Sequence, residues 1–208
     1  MTDIFRYTVN VEKAYLEMAR AFTGCQISHP GIGDRAGEVT PTHNTVFAFV
    51  SLGYIYSYSA VVAFATAQLS LLWADPGGTL RKQYSQRKSL DDLLRNELRE
   101  TKEVIRALCR HKGIPQIQDA QPALWNQFLQ VVQTARHFFI HPSPDSARLS
   151  KVVDLTHDKR PWGYPAKVAE DIIAYLIEGM GAEVPPWVRQ NQEFRIRHVE
   201  ALAVAERQ

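Results

Sequence analysis

Cysteine is nearly missing from this 208-residue chain. The two that occur, Cys25 and Cys109, have no C-x-x-C partner, which excludes a disulfide framework or zinc knuckle and fits a reducing compartment. Neither sign of charge dominates: 24 Lys and Arg against 22 Asp and Glu leave a net charge of +2. That balance permits a nucleic-acid partner without announcing one. The opening, MTDIFRYTVNVEK, lacks the apolar core of a signal peptide. No repeat of about 20 to 50 residues recurs, so solenoids are excluded. The expectation is a cytoplasmic protein of one principal domain.

Charge is also missing locally. From Thr40 to Ala74 there is no Asp, Glu, Lys or Arg, a run long enough to span a bilayer. Ser51, Ser57, Ser59, Thr66, Gln68 and Ser70 interrupt it, however, and no basic anchors stand immediately on either side. The pattern predicts the central helix of a bundle; a membrane span, or a strand over YIYSYS where Tyr alternates, are the other readings.

Around that run the periodicity is helical. Val11, Tyr15, Met18 and Phe22 predict a short amphipathic helix with Asn10 as cap and Gly24 as stop. Residues 26–41, QISHPGIGDRAGEVTP, are loop chemistry. After the turn DPGG, a second long helix is predicted from the SLDD capping box at Ser89 to Gly113, burying Leu90, Leu93, Leu94, Leu98, Val104, Ile105 and Leu108. A third runs from Pro122 to His141. A loop over residues 142–165 leads to a fourth carrying Val168, Ile172, Leu176 and Met180 on one face. The expected architecture is all-α: an up-and-down bundle of four core helices over residues 42–183, an N-terminal helix and loop in 1–41, and a C-terminal tail helix in 184–208.

The third helix carries the chemistry. At about 100° per residue, Leu124, Trp125, Phe128, Leu129, Val132, Ala135, Phe139 and Ile140 share one arc, and Arg136 falls inside it. A guanidinium cannot shed its charge, so it must meet a carboxylate, carbonyls or an anionic ligand. Five residues on stands His141, which Pro142 pushes away from helical dihedrals. A helix C-terminus stabilises a cation, which suits a proton donor. In a continuing helix Arg136 and His141 would point about 140° apart, so a shared site needs that break or a second chain. The spacing also occurs at Arg106 and His111, but there the arginine lies opposite the leucine stripe, where a solvated arginine is ordinary.

At RHFFIHP the sequence resembles the HEPN superfamily, whose members carry an arginine, usually a polar residue, and a histidine four to six positions after the arginine; Arg136, His137 and His141 match. The resemblance covers about residues 42–183 in its order of helices. It implies a metal-independent endoribonuclease of toxin or antiphage type, acting as a homodimer without cofactor, with a possible antitoxin protein as partner. His141 would then be the general acid or base, Arg136 the phosphate holder, and His137 the assisting group. The basic run RKQYSQRK suits an RNA backbone through Arg81, Lys82, Arg87 and Lys88, or is a solvated face.

Rival readings remain. Arg136 could close a buried salt bridge with Glu170 or Asp171, as a non-catalytic module binding a partner protein, nucleotide or RNA would allow. His137 and His141, at i and i+4, could bind a metal, although no acidic residue shares their helix. GIGDRA, at Gly31 to Ala36, fits a relaxed dinucleotide fingerprint without the strand and helix it needs. PWGYP and PPW read as aromatic plugs over the bundle rather than base-stacking platforms.

Overall fold

The computed structural model describes residues 10–23, 41–141 and 164–189. Within them the chain is helical, with no strand. The expectations for Cys25, the GIGDRA stretch, the loop after His141 and the tail beyond Arg189 lie outside the described residues.

Helix α1 (Val11–Thr23) opens where the Asn10 side chain accepts from Lys13 N–H at 2.8 Å, the capping role expected of it. Its buried face differs from the expected stripe. Val11 and Met18 are exposed, whereas Leu16, Ala19 and Arg20 are fully buried. Tyr15 and Phe22 lie between these extremes and meet the Tyr56 ring at 5.9 and 5.6 Å. An arginine occupies the core face, and a stripe drawn through apolar residues alone misses it.

Helix α2 (Pro41–Ala74) is the spine. YIYSYS lies within it, which removes the strand reading. The stretch Val50–Ala74 is long and apolar enough to cross a membrane. Yet each residue from 50 to 69 is buried or half-buried by protein, because α1 and the helices that follow pack around α2. That is how a charge-free helix serves a bundle.

The expected single helix from Ser89 to Gly113 is two. Helix α3 (Thr79–Gln83) comes first, within the basic run; α4 (Leu90–Asn96) and α5 (Thr101–Lys112) follow. Ser89 caps α4, its Oγ accepting from Asp92 N–H at 3.1 Å. The break lies at Glu97 to Glu100. Asn96 turns its side chain back onto Asp92, and Glu100 starts afresh as a capping box with Glu103. The leucine stripe runs through the break: Leu93, Leu98, Val104, Ile105 and Leu108 are buried, Leu90 and Leu94 half-buried, with Thr101 filling the gap. Gly113 closes α5 at φ 68°, with Ile114 N–H bonded to Cys109 C=O at 2.8 Å.

After the short α6 (Ile117–Ala120), helix α7 is one rod of three parts: Pro122–Asn126, a π-helical segment Gln127–Gln133, and Thr134–Ile140. The Thr134 hydroxyl donates to Leu129 C=O, five residues back, at 3.2 Å. Helix α8 (Tyr164–Gly179) closes the bundle and is buried nearly all round through Val168, Ala169, Ile172, Ile173, Leu176 and Ile177. At its end Gly179 lies so close to Ile114 that a Cβ would stand 2.5 Å from Ile114 Cγ2. Residues 186–188 form a turn, and Val188 is buried against the core.

Candidate functional site

Among the described residues, the fully buried arginine is Arg20. Its Nε donates to Glu170 Oε1 at 2.6 Å, its Nη1 to Trp187 C=O at 2.6 Å, and its Nη2 to Val188 C=O. Asp171 is paired with Lys167 at 2.6 Å. Both carboxylates expected as partners for Arg136 are therefore engaged elsewhere. The motif arginine has a different companion.

Arg136 is half-buried, between the buried Val132 and Ala135 and the half-buried Phe139. Its guanidinium carbon lies 4.9 Å from the centre of the Tyr58 ring, within the range of a cation–π contact. Among the described residues no carboxylate pairs with it. The Tyr58 ring is also stacked on Phe128, 5.8 Å away and tilted only 7°, and its hydroxyl is hydrogen-bonded to Thr101 Oγ1 on α5. Phe128 and Arg136 would stand about 80° apart on a uniform α-helix. The π-helical segment between them turns less per residue, and both reach the same ring.

His137 and His141 are exposed, and their rings are 5.2 Å apart with a 52° tilt. Helical backbone lasts through Ile140. His141 N–H still bonds to His137 C=O at 2.9 Å, but its φ and ψ are −125° and 73°. That departure is the one expected of a residue before proline. The two imidazoles share one solvent-facing patch, one residue around the helix from the Arg136 face. Exposed Ile140 lies beside them. No third His, Cys, Asp or Glu completes a metal-binding group among the described residues.

The second Arg-x4-His pair is differently placed. Arg106 Nε donates to Gln118 Oε1 at 2.6 Å. His111 Nδ1 is 3.0 Å from Thr79 Oγ1, while its Nε2 is buried without a partner. Burial, then the neighbouring Arg110 charge, hold the His111 imidazole below its usual value. A histidine tied down in this way is part of the packing between α3 and α5.

The basic run divides. Arg87 is held by Glu97 and lies 4.0 Å from Asp92. Arg81 lies 5.9 Å from the Trp73 ring, and Lys82 and Lys88 are exposed. Three of the four named cations therefore face solvent without a carboxylate among the described residues. Trp187 packs against the core as an aromatic plug.

No protein-family model, curated protein or solved structure matches this chain.

Proposed function

We propose that this protein is a metal-independent endoribonuclease of the HEPN type, acting as a cytoplasmic homodimer in which two copies of the α7 motif line one cleft. The observation that carries the reading is Arg136. It sits on the core-facing arc of α7 with its charge unneutralised by any described carboxylate, one and five residues before two exposed imidazoles that neighbour each other. A cation kept in that condition suits an anionic ligand.

In the reaction, Arg136 holds and neutralises the scissile phosphodiester. One imidazole, His141, takes the proton of the ribose 2′-hydroxyl as that oxygen attacks phosphorus. The bond to the 5′-oxygen breaks, and that oxygen receives a proton from a second imidazole, His137 or the His141 of the other copy. The products are a 2′,3′-cyclic phosphate and a 5′-hydroxyl, with no metal required. Arg136 and His141 lie on different sides of one helix, so the second copy supplies the complementary groups. Arg81, Lys82 and Lys88 extend the contact to the RNA backbone. An antitoxin protein covering the patch would silence it.

The test is incubation of wild type, Arg136→Ala and His141→Ala with total RNA in excess EDTA, with helicity followed by circular dichroism. Cleavage by wild type and at least a 100-fold loss in both folded variants is expected, about the least that a general acid or base contributes. Equal cleavage by all three would refute the assignment. No cleavage by any of them, with RNA still bound through Arg136, would make this a binding module.

A further inference from the structure

The contact beneath Arg136 assigns a role to a residue outside the motif. We infer that Tyr58 is the positioning residue for the Arg136 guanidinium; the inference rests on Arg136 being an anion holder, as proposed above.

Tyr58 is anchored from two helices. Phe128 of α7 stacks on its ring at 5.8 Å, and Thr101 of α5 engages its hydroxyl. Arg136, two turns beyond Phe128 on α7, has its guanidinium carbon 4.9 Å from the same ring. A half-buried arginine is ordinarily fixed by a carboxylate, which fixes it at the cost of its net charge. An aromatic face does otherwise. It attracts the cation through the ring quadrupole, contributes no formal negative charge, and leaves the in-plane N–H groups for a ligand. The acidic residues of α8 expected as partners for Arg136 are committed, Glu170 to Arg20 and Asp171 to Lys167. Tyr58 thus fixes the position of Arg136 and preserves its charge, its ring held by the Phe128 stack.

Two substitutions separate the ring from its hydroxyl. Tyr58→Phe keeps the face and loses the Thr101 bond; Tyr58→Leu loses the face. The Arg136 Nε–H resonance, assigned by its loss in Arg136→Lys, reports the ring current directly, and inorganic phosphate is the anion probe. Wild type and Tyr58→Phe should show this resonance displaced upfield, with phosphate affinities within about 2-fold of each other. Tyr58→Leu should return it toward the other arginines and weaken phosphate about 3- to 10-fold. If Tyr58→Leu loses helicity, Tyr58→Gln, which keeps a polar group for Thr101, takes its place. Unchanged phosphate affinity without the ring, equal weakening in Tyr58→Phe, or no response of Arg136 to phosphate would each overturn the inference.

RNA affinity supplies the second arm. In an Arg136→Ala background, Tyr58→Leu should add no further loss, because Tyr58 acts through Arg136; additive losses would make it merely structural. The two proposals fail separately. RNA neither bound nor cleaved, with the phosphate response intact, sinks the ribonuclease reading and leaves the Tyr58 role standing. Wild-type cleavage by folded Tyr58→Leu sinks the Tyr58 role alone.

Discussion

Glu170→Leu tests the central structural claim, that α1, α8 and the turn after α8 are joined by one buried charge. In the native protein Arg20 is fully buried and Glu170 is 4% exposed, and the guanidinium has three acceptors: the Glu170 carboxylate and the carbonyls of Trp187 and Val188. Leucine removes the only anion among them. Arg20 cannot lose its proton, so its charge stays buried with two carbonyl dipoles, and breaking such a pair from one side costs about 3–5 kcal/mol. Against a total stability of about 5–15 kcal/mol this is a large fraction. With a urea slope of about 2 kcal/mol per molar, the midpoint should fall by roughly 2 M. Glu170→Gln keeps an acceptor for Nε and should cost less. Arg20→Met leaves a buried carboxylate and two unpaired carbonyls and should cost at least as much as Glu170→Leu. Urea titrations followed at 222 nm give the order. A Glu170→Leu cost under about 1 kcal/mol, or an Arg20→Met variant milder than Glu170→Leu, would refute the reasoning.

Other expectations concern single contacts. Gly179→Ala drives a methyl to 2.5 Å from Ile114 Cγ2; overpacking of about 1–3 kcal/mol outweighs the helical gain of at most about 1 kcal/mol, and calorimetry should show a lower Tm. Ser89→Ala deletes the cap of α4 and should cost about 1 kcal/mol in urea unfolding, with no loss of RNA cleavage. His111 is held below its usual 6.5 by burial and by Arg110. The unfolded chain therefore binds its proton first as pH falls, so stability is lost from about pH 6.5 downward until the folded imidazole itself titrates. Urea midpoints at pH 7.5 and 5.5 should differ less in His111→Gln than in wild type.

Much of the fold was legible because it follows from elementary signals. Asn10, Ser89 and Gly113 cap the helices they were expected to cap, since short polar side chains and a left-handed glycine satisfy helix ends wherever they occur. The division of Ser89–Gly113 into two helices was hidden. RNELRETKE is made mostly of the helix formers Arg, Glu, Leu and Lys, and the break depends on Asn96 and Glu100 finding local partners, which composition does not report. The signal available was the step from Leu98 to Val104, too long for an apolar stripe until Thr101 is counted.

Arg20 and Arg136 show where reading the candidate site from sequence reaches its end. Both sit on helix faces that meet the core, and the same rule applies to each: a guanidinium out of water needs compensation. The rule does not say which arginine receives which partner. Arg136 stands out in the sequence because it interrupts a long apolar arc; Arg20 does not, because α1 is short and its apolar residues suggest another face. The carboxylates of α8, expected as partners for Arg136, pair instead with Arg20 and Lys167. With Glu170 committed to Arg20, the motif arginine rests on the Tyr58 ring and pairs with no carboxylate among the described residues. The two arginines therefore differ in what compensates the charge: a carboxylate and two carbonyls for Arg20, an aromatic face for Arg136.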